Sequence, residues 1–361
     1  MNIKGRDATI DIAKGIGMIA VVLGHTTFTG KNFLYQFHLP LFFFLSGLVW
    51  NEKKINNIPK YFFGKIKGFY VPFILFELVF LLLHNVFSEM GFYSVKSRVD
   101  LYYSLQMTIQ RGLKILIMGA GEQLAGPLWF LISSLEIVII FPIIYWLVNL
   151  IFKKERAREV AILLIVMLLF FVGCYTNLPR MLSQAFIGIF FFGSGFVYRR
   201  YRDRIKLNIW GALICTIVIL ACGCINEVDI SKLRITYKPL LILSGLAGSY
   251  FSLYIGTILD NSKQKVFSFV GNSLQYIGSN TISILALHCI SFKLVMLLEW
   301  RITNYDFELL GVFPYYSESK WIIPLAVLAG ILIPIALCFI SEKTVIYFHG
   351  HFKRGRIYEQ N

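Results

Sequence analysis

Long apolar blocks separated by short basic clusters are the feature that most constrains how this chain can fold. The blocks are about 17 to 25 residues long, the length that a helix needs to cross a hydrocarbon layer of roughly 30 Å. Hydrophobic residues make up 57% of the 361 positions and charged residues only 15%, whereas a soluble domain is nearer half apolar and about a quarter charged. The sequence therefore predicts an all-α integral membrane protein and excludes a soluble multidomain protein.

The apolar blocks define about ten candidate transmembrane helices within one membrane domain that covers residues 1–361. Basic residues concentrate in alternate loops, such as the loop with Lys53 and Lys54 and the loop with Arg156. Because such loops stay in the cytoplasm, both termini are predicted to be cytoplasmic. Residues 89–126 are too polar to cross, but their apolar residues recur at helical spacing, which predicts one outer interfacial helical segment. The candidate spans are about 10–28, 34–50, 69–88, 127–150, 159–176, 182–198, 207–225, 239–259, 276–299 and 321–341.

The formal net charge of +15 would suggest nucleic-acid binding in a soluble protein. Here the Lys and Arg residues flank apolar blocks, where anionic lipid headgroups hold them, so nucleic acid is not an expected partner. The six cysteines lie in or beside apolar blocks and behave as small hydrophobic residues. Their positions predict neither a disulfide framework nor a metal site.

Ionisable residues inside a predicted span indicate function, because their burial in lipid is costly. The first span holds Asp11, Lys14 and His25. Lys14 and His25 are separated by about three full helical turns, so both project from one face, about 16 Å apart along the axis. Asp11 precedes Lys14 by one turn and can pair with it. The alternative is that Asp11 and Lys14 extend to the membrane interface and His25 ends the helix, but the shared face favours a functional cavity.

Three other segments contribute candidate residues. The second span opens with His38 and Pro40, and the proline leaves backbone groups free in a way that is tolerated beside a cavity. The fourth span opens with Gly-Pro-Leu-Trp at residues 126–129, shortly after Glu122. A late span contains His288. Alone, His288 is typical of a packing residue and Glu122 of a solvated loop residue.

Taken in order, these segments resemble membrane acyltransferase family three, in its branch of fucose 4-O-acetylase-like and surface-polysaccharide O-acetyltransferases. The signature of that family is an Arg or Lys followed eleven residues later by His in the first span, here Lys14 and His25. Similar patterns are FHLPLFFFLSG at 37–47, PLWFL at 127–131, and GSNT at 278–281 followed by His288. Lys14 stands where many members carry Arg, so a bidentate grip on phosphate would become a point-charge contact.

The resemblance implies a multi-pass enzyme of a bacterial cytoplasmic membrane that moves an acetyl group from cytoplasmic acetyl-CoA to a carbohydrate hydroxyl. His25 and Asp11 are the predicted catalytic residues: His25 acts as general base, because imidazole titrates near neutral pH, and Asp11 orients Lys14. Lys14 and Arg6 are predicted to bind acetyl-CoA, and no metal is expected. The predicted acceptor-binding residues are His38, Glu122, Trp129 and His288.

Between the two ends of the first span, Gly17, Met18, Val21 and Val22 are expected to form an apolar track that leads the pantetheine arm to His25. Direct transfer is favoured over an acyl-histidine intermediate. The main alternative function is a proton-coupled secondary transporter, against which stand the absence of internal repeats and of paired broken helices in the sequence. A second alternative is a subunit for polysaccharide export or assembly, which would not need His25.

Overall fold

The computed structural model describes residues 7–97, 99–119 and 121–358, with side chains described up to residue 340. Helices dominate it, and the one sheet in this part of the chain is a two-stranded antiparallel hairpin, β1 (Val228–Asp229) and β2 (Arg234–Ile235). The α-helices are α1 (Ala8–Gly24), α2 (Lys31–Tyr35), α3 (His38–Leu48), α4 (Ile58–Lys65), α5 (Val71–Leu82), α6 (His84–Glu89), α7 (Leu105–Leu116), α8 (Trp129–Ile151), α9 (Glu155–Tyr175), α10 (Leu182–Tyr201), α11 (Ile209–Ile225), α12 (Lys238–Asn261), α13 (Lys265–Ser279), α14 (Thr281–Thr303) and α15 (Ile323–Tyr358).

Every predicted span overlaps a helix, but three of them are divided between two helices, and α15 runs well past the predicted end at 341. The span at 34–50 contains the end of α2 and all of α3, the span at 69–88 contains α5 and most of α6, and the span at 276–299 contains the end of α13 and most of α14. Within the described residues, five helices are long and apolar enough to cross a membrane. They are Gln123–Ile151, Glu155–Tyr175, Lys238–Asn261, Thr281–Thr303 and Lys320–Ile340. The number of ten crossings and the cytoplasmic position of both termini stay predictions.

Residues 89–126 contain α7, which leaves one stripe of apolar side chains unburied. Leu105, Ile109 and Leu113 are all more than half exposed and follow one another at intervals of four residues. An unburied apolar stripe of this kind is expected on a helix that lies at a lipid interface. The placement of this segment on the outer face stays a prediction.

The first helix is central to the fold, because α1 packs against α3, α12, α13, α14 and α15. Asp7 caps its start by accepting a hydrogen bond from the backbone N–H of Ile10, at 3.4 Å. Glycines let α13 approach α1 closely. A Cβ atom at Gly15 would lie 2.1 Å from the Leu274 carbonyl oxygen, and one at Gly278 would lie 1.8 Å from the Asp11 carbonyl oxygen. This contact places the start of α1 beside the junction between α13 and α14.

Candidate active site

One face of α1 lines two neighbouring cavities. Lys14, Met18 and Val21 line the first, of about 380 Å³, which we call the Lys14 cavity. Val21 and His25 line the second, of about 290 Å³, which we call the His25 cavity. These four residues follow one another at the spacing of a single helical stripe. One helix therefore carries a cationic side chain into one cavity and an imidazole into the other.

The two cavities meet at an apolar junction. Val21, Leu39, Phe130 and Leu285 line both of them. These side chains come from four different helices, α1, α3, α8 and α14. The junction therefore separates the polar Lys14 cavity from the polar His25 cavity. Only an apolar or slender group can occupy this junction favourably.

The residues predicted as an apolar track are divided between this passage and the protein interior. Met18 and Val21 line the Lys14 cavity. Gly17 lies against α3, and Val22 is fully buried. The reason is helical phase, since Gly17 and Val22 project from other faces of α1 than the stripe shared by Lys14 and His25.

Lys14 and the first turn of α14 line the Lys14 cavity together. The Lys14 ammonium donates a hydrogen bond to Asp11 Oδ1 at 3.0 Å, and a quarter of the lysine side chain is exposed, against 5% for Asp11. Residues 278–283, which lead into and begin α14, line the same cavity. A helix start and an ammonium group both attract anions, so this cavity can hold a phosphate group. Arg6, predicted to assist Lys14, lies outside the described residues.

His25 forms a hydrogen-bonded pair with His288. His25 Nδ1 lies 2.7 Å from His288 Nε2, and the two rings are nearly parallel, with an interplanar angle of 12°. On its other side His288 Nδ1 lies 2.8 Å from the carbonyl oxygen of Ile284. His288 is 0% exposed, whereas His25 is partly exposed and lines the His25 cavity. His288, predicted to contact the acceptor, thus lies behind His25.

The hydrogen bonds assign the tautomers of both neutral rings. A carbonyl oxygen only accepts, so His288 Nδ1 carries a proton and His288 Nε2 is an acceptor. The proton of the 2.7 Å bond then belongs to His25 Nδ1. His25 Nε2 is left with a free lone pair, which is the form that a general base requires.

Cys289 adds a third possible metal ligand to this pair. Ligand atoms of His25, His288 and Cys289 lie within 4.8 Å of one another. Two nitrogens on one tetrahedral zinc ion would lie roughly 3.3 Å apart, given bonds of about 2.0 to 2.1 Å. The 2.7 Å separation of the two histidine nitrogens fits a direct hydrogen bond and does not fit a shared ion.

The remaining wall of the His25 cavity is rich in polar and aromatic groups. His38 Nδ1 donates to the Leu34 carbonyl oxygen at 2.8 Å, so in the neutral ring its Nε2 is an acceptor. Trp129 and the ion pair between Asp229 and Lys232, at 3.3 Å, also line the cavity. Such a mixture of donors, acceptors and an aromatic face suits a ligand with several hydroxyl groups.

Glu122 lines a third cavity, of about 540 Å³, which we call the Glu122 cavity. This cavity also touches Gly126 and Trp129, which line the His25 cavity as well. Trp129 therefore stands between the two spaces. Of the four residues predicted to bind the acceptor, His38 and Trp129 lie in the His25 cavity, and Glu122 lies in the adjoining one.

Four buried ionisable residues are not among the site residues predicted from the sequence. They are Glu77, His84, Lys293 and Glu299, and none is more than 2% exposed. All four fall inside predicted spans, where the cost of burying a charge already indicates a role. Applying that rule to every span, and not only to the segments with recognisable motifs, would have found them.

Lys293 holds a loop over the His25 cavity. Its ammonium donates to the carbonyl oxygens of Leu310 and Val312, at 2.6 and 2.7 Å. The next two residues of that loop, Phe313 and Pro314, line the His25 cavity. Lys293 thus positions part of the cavity wall without lining the cavity.

Comparison with known protein families identifies an acyltransferase family. The sequence profile of a family described as an acyltransferase domain, acyltransferase family 3, matches residues 7–343. No curated protein and no solved structure matches the chain. The matched range covers the residues that line all three cavities.

Proposed function

This chain belongs to acyltransferase family 3, and from that premise we propose that it transfers an acetyl group from cytoplasmic acetyl-CoA to a hydroxyl group of a carbohydrate. As a multi-pass membrane protein, it would bind the two substrates at opposite ends of α1. The observation that carries the proposal is the meeting of the Lys14 and His25 cavities at one apolar junction. An acyl donor with a charged head and a slender arm matches that arrangement.

The donor would bind with its phosphates in the Lys14 cavity. Lys14 and the start of α14 supply positive charge and backbone donors for phosphate oxygens. The pantetheine arm would pass Met18 and cross the junction at Val21. The axial distance from Lys14 to His25, about 16 Å for eleven helical residues, is comparable with an extended pantetheine. The thioester would then reach His25 while the nucleotide stays at the other end.

Transfer would proceed directly between the two substrates. His25 Nε2 takes the proton of the acceptor hydroxyl while the hydroxyl oxygen forms a bond to the thioester carbonyl carbon. The carbon–sulfur bond then breaks, and His25 returns the proton to the departing thiolate of CoA. Throughout, the His25 Nδ1 proton stays shared with His288, which keeps the reacting nitrogen aimed at the cavity.

The junction also bears on the transporter alternative. Val21, Leu39, Phe130 and Leu285 carry no group that can pass a proton between Lys14 and His25. A proton relay between those two residues would need such groups, whereas an acyl chain requires an apolar path. The apolar junction therefore favours acyl transfer.

The test uses purified protein in lipid nanodiscs with acetyl-CoA labelled in the acetyl group, supplied with mono- and oligosaccharides. We expect label to appear in ester linkage on a saccharide. Val21→Phe narrows the junction and should lower transfer by at least about tenfold, since small misplacements of reacting groups carry costs of that order. Leu164→Phe, at a 65% exposed position of α9, is the matched control and should transfer at the wild-type rate. Absence of label on every saccharide would contradict the proposal, and equal rates in both variants would contradict the route.

A further inference from the structure

The Glu122 cavity is larger than the His25 cavity and adjoins it at the start of α8. Gly126 and Trp129 line both spaces. The two volumes, about 290 and 540 Å³, are therefore arranged in series on either side of one indole ring. A ligand longer than a single ring could occupy both.

Two buried carboxylates give the Glu122 cavity its character. Glu77 and Glu122 both line it and are each only 2% exposed. Glu77 Oε2 accepts a hydrogen bond from the backbone N–H of Glu122 at 2.6 Å, and Glu122 Oε2 pairs with His84 Nδ1 at 2.8 Å. His84 is fixed in turn by the Asp100 carbonyl oxygen at 2.9 Å. Neighbouring groups thus hold one oxygen of each carboxylate in place.

The other oxygen of Glu122 lacks such support. Within the described residues Glu122 Oε1 is buried and makes no well-aligned hydrogen bond, although the Tyr103 hydroxyl is close to the carboxylate. A buried carboxylate oxygen without a well-aligned hydrogen bond is costly. A ligand that donates a hydrogen bond in the cavity would remove that cost.

The chemistry of the lining selects the class of ligand. The lining holds two carboxyl groups and one guanidinium, that of Arg180, so it has no net positive charge that would attract an anion. Buried charge disfavours a lipid tail. Glu77 and Glu122 do not belong to the cluster of possible metal ligands found among the described residues, which consists of His25, His288 and Cys289. Hydroxyl groups donate to carboxylates, and the apolar face of a sugar ring packs on an indole such as Trp129.

We infer that the Glu122 cavity is a binding site for a second sugar unit, so that the acceptor is at least a disaccharide with its acetylated unit beside His25. This inference rests on the proposed function. Glu122 Oε1 and Arg180 would contact hydroxyls of the second unit, and Trp129 would lie between the two units. The site would add affinity for the acceptor without contacting the reacting atoms.

The experiment compares kcat/KM for saccharides of one and two units. The probes are glucose, galactose, fucose and N-acetylglucosamine, each alone and at the non-reducing end of a disaccharide. In the wild-type protein we expect the disaccharide to be preferred by at least about tenfold, the value of one charge-assisted hydrogen bond. In Glu122→Gln the preference should fall to about threefold or less, mainly through the KM of the disaccharide. Arg180→Gln is a second variant at the same cavity and should also lower the preference.

Glu159→Gln is the matched control. Glu159 is a carboxylate of α9 that is 6% exposed and accepts a hydrogen bond from the Tyr201 hydroxyl at 2.6 Å, yet it lines none of the three cavities. Its variant should keep the wild-type preference. Equal kcat/KM for one and two units in wild type would overturn the second site while leaving acetyl transfer standing, as would an undiminished preference in both cavity variants.

A direct binding measurement separates this inference from the proposed reaction. Isothermal titration calorimetry with the same disaccharides and no acetyl-CoA should give binding that is weakened by Glu122→Gln and Arg180→Gln. Such binding by a protein that transfers no acetyl group would refute the proposed function and support the site. Absence of both binding and transfer with every disaccharide would refute the second-sugar site.

Discussion

The Lys14 cavity and the His25 cavity are built from different kinds of structure. Helices supply the Lys14 cavity, chiefly α1, α3, α8, α14 and the end of α13. Two loops complete the His25 cavity, the hairpin segment at 229–232 and the segment at 313–314. A cavity that is built from helices is held in shape by their regular backbone hydrogen bonds, whereas a cavity that is completed by loops needs additional anchors.

Buried polar side chains provide those anchors. Lys293 holds the segment before Phe313, as described above. Asn226 precedes the hairpin and is 0% exposed. Its backbone carbonyl oxygen accepts from Gln36 Nε2 at 2.6 Å, and its side-chain oxygen accepts from the Tyr237 N–H at 2.7 Å. One end of α1 therefore meets a site built from helices, while the other meets loops fixed by a few buried groups.

The sharpest contrast between the two ends should appear in turnover. His25→Ala removes the proposed base, so kcat should fall by about a hundredfold or more, since loss of a general base typically costs ~10²–10⁴. Acetyl-CoA binding, measured by calorimetry, should stay near the wild-type value because the nucleotide is proposed to bind at the other end. A variant that still turns over at close to the wild-type rate would place the transporter or assembly function ahead of the enzyme.

His288→Ala should lower kcat by about tenfold to a hundredfold, the range expected when one buried hydrogen bond is lost. His288→Gln should retain more activity, because an amide oxygen can still accept from His25 Nδ1. His288→Leu fills a volume similar to that of glutamine but cannot accept a hydrogen bond, so it should lose more activity than His288→Gln, whereas a packing role alone would give these two variants similar activity. The kcat of each, with acetyl-CoA Kd as control, decides between positioning and packing.

At the other end, Lys14→Ala should weaken acetyl-CoA binding by about tenfold, the effect of one lost charge-assisted contact. Lys14→Arg should retain much of the affinity, because charge and reach are similar. The measurement is the Kd of acetyl-CoA in nanodiscs. An unchanged Kd in Lys14→Ala would show that the two ends of α1 do not divide the work as proposed.

Lys293→Met tests whether the loop end depends on its anchor. The change leaves the carbonyl oxygens of Leu310 and Val312 without their donor, at a cost of about 1–3 kcal/mol each. We expect a lower melting temperature and a higher KM for the acceptor, with little change in the Kd of acetyl-CoA. Leu298→Met, at a 53% exposed position of the same helix, is the control. A normal acceptor KM in Lys293→Met would contradict the anchoring role.

The smallest perturbation tests which end faces the cytoplasm. Single cysteines at Lys54, Arg156 and Arg202 should react with an impermeant thiol reagent only after the cells are opened, because the basic loops are predicted to lie inside. Native cysteines that react are replaced first by serine. Labelling of any of the three positions in intact cells would reverse the proposed orientation or change the number of crossings.

Helix positions were readable from the sequence because apolar blocks and their breakers are local features. Pro127 marks the start of α8 as a local breaker. Helical periodicity alone predicts the stripe that carries Lys14 and His25. The divided segments were harder. Neither the break between α2 and α3 nor the separation of α13 from α14 at Asn280 has a signal in hydropathy, because each depends on packing against α1 and its neighbours.

By itself, the sequence determined the helical membrane character of this protein and placed Lys14 and His25 on one face of one helix, because burial cost and helical phase act along the chain. Tertiary structure alone decided that His288, separated from His25 by most of the chain, would fix the tautomer of His25. It also decided that Glu122 would line a cavity of its own beside Trp129. Contacts between distant segments depend on how helices and loops pack in three dimensions, and no local pattern encodes that packing.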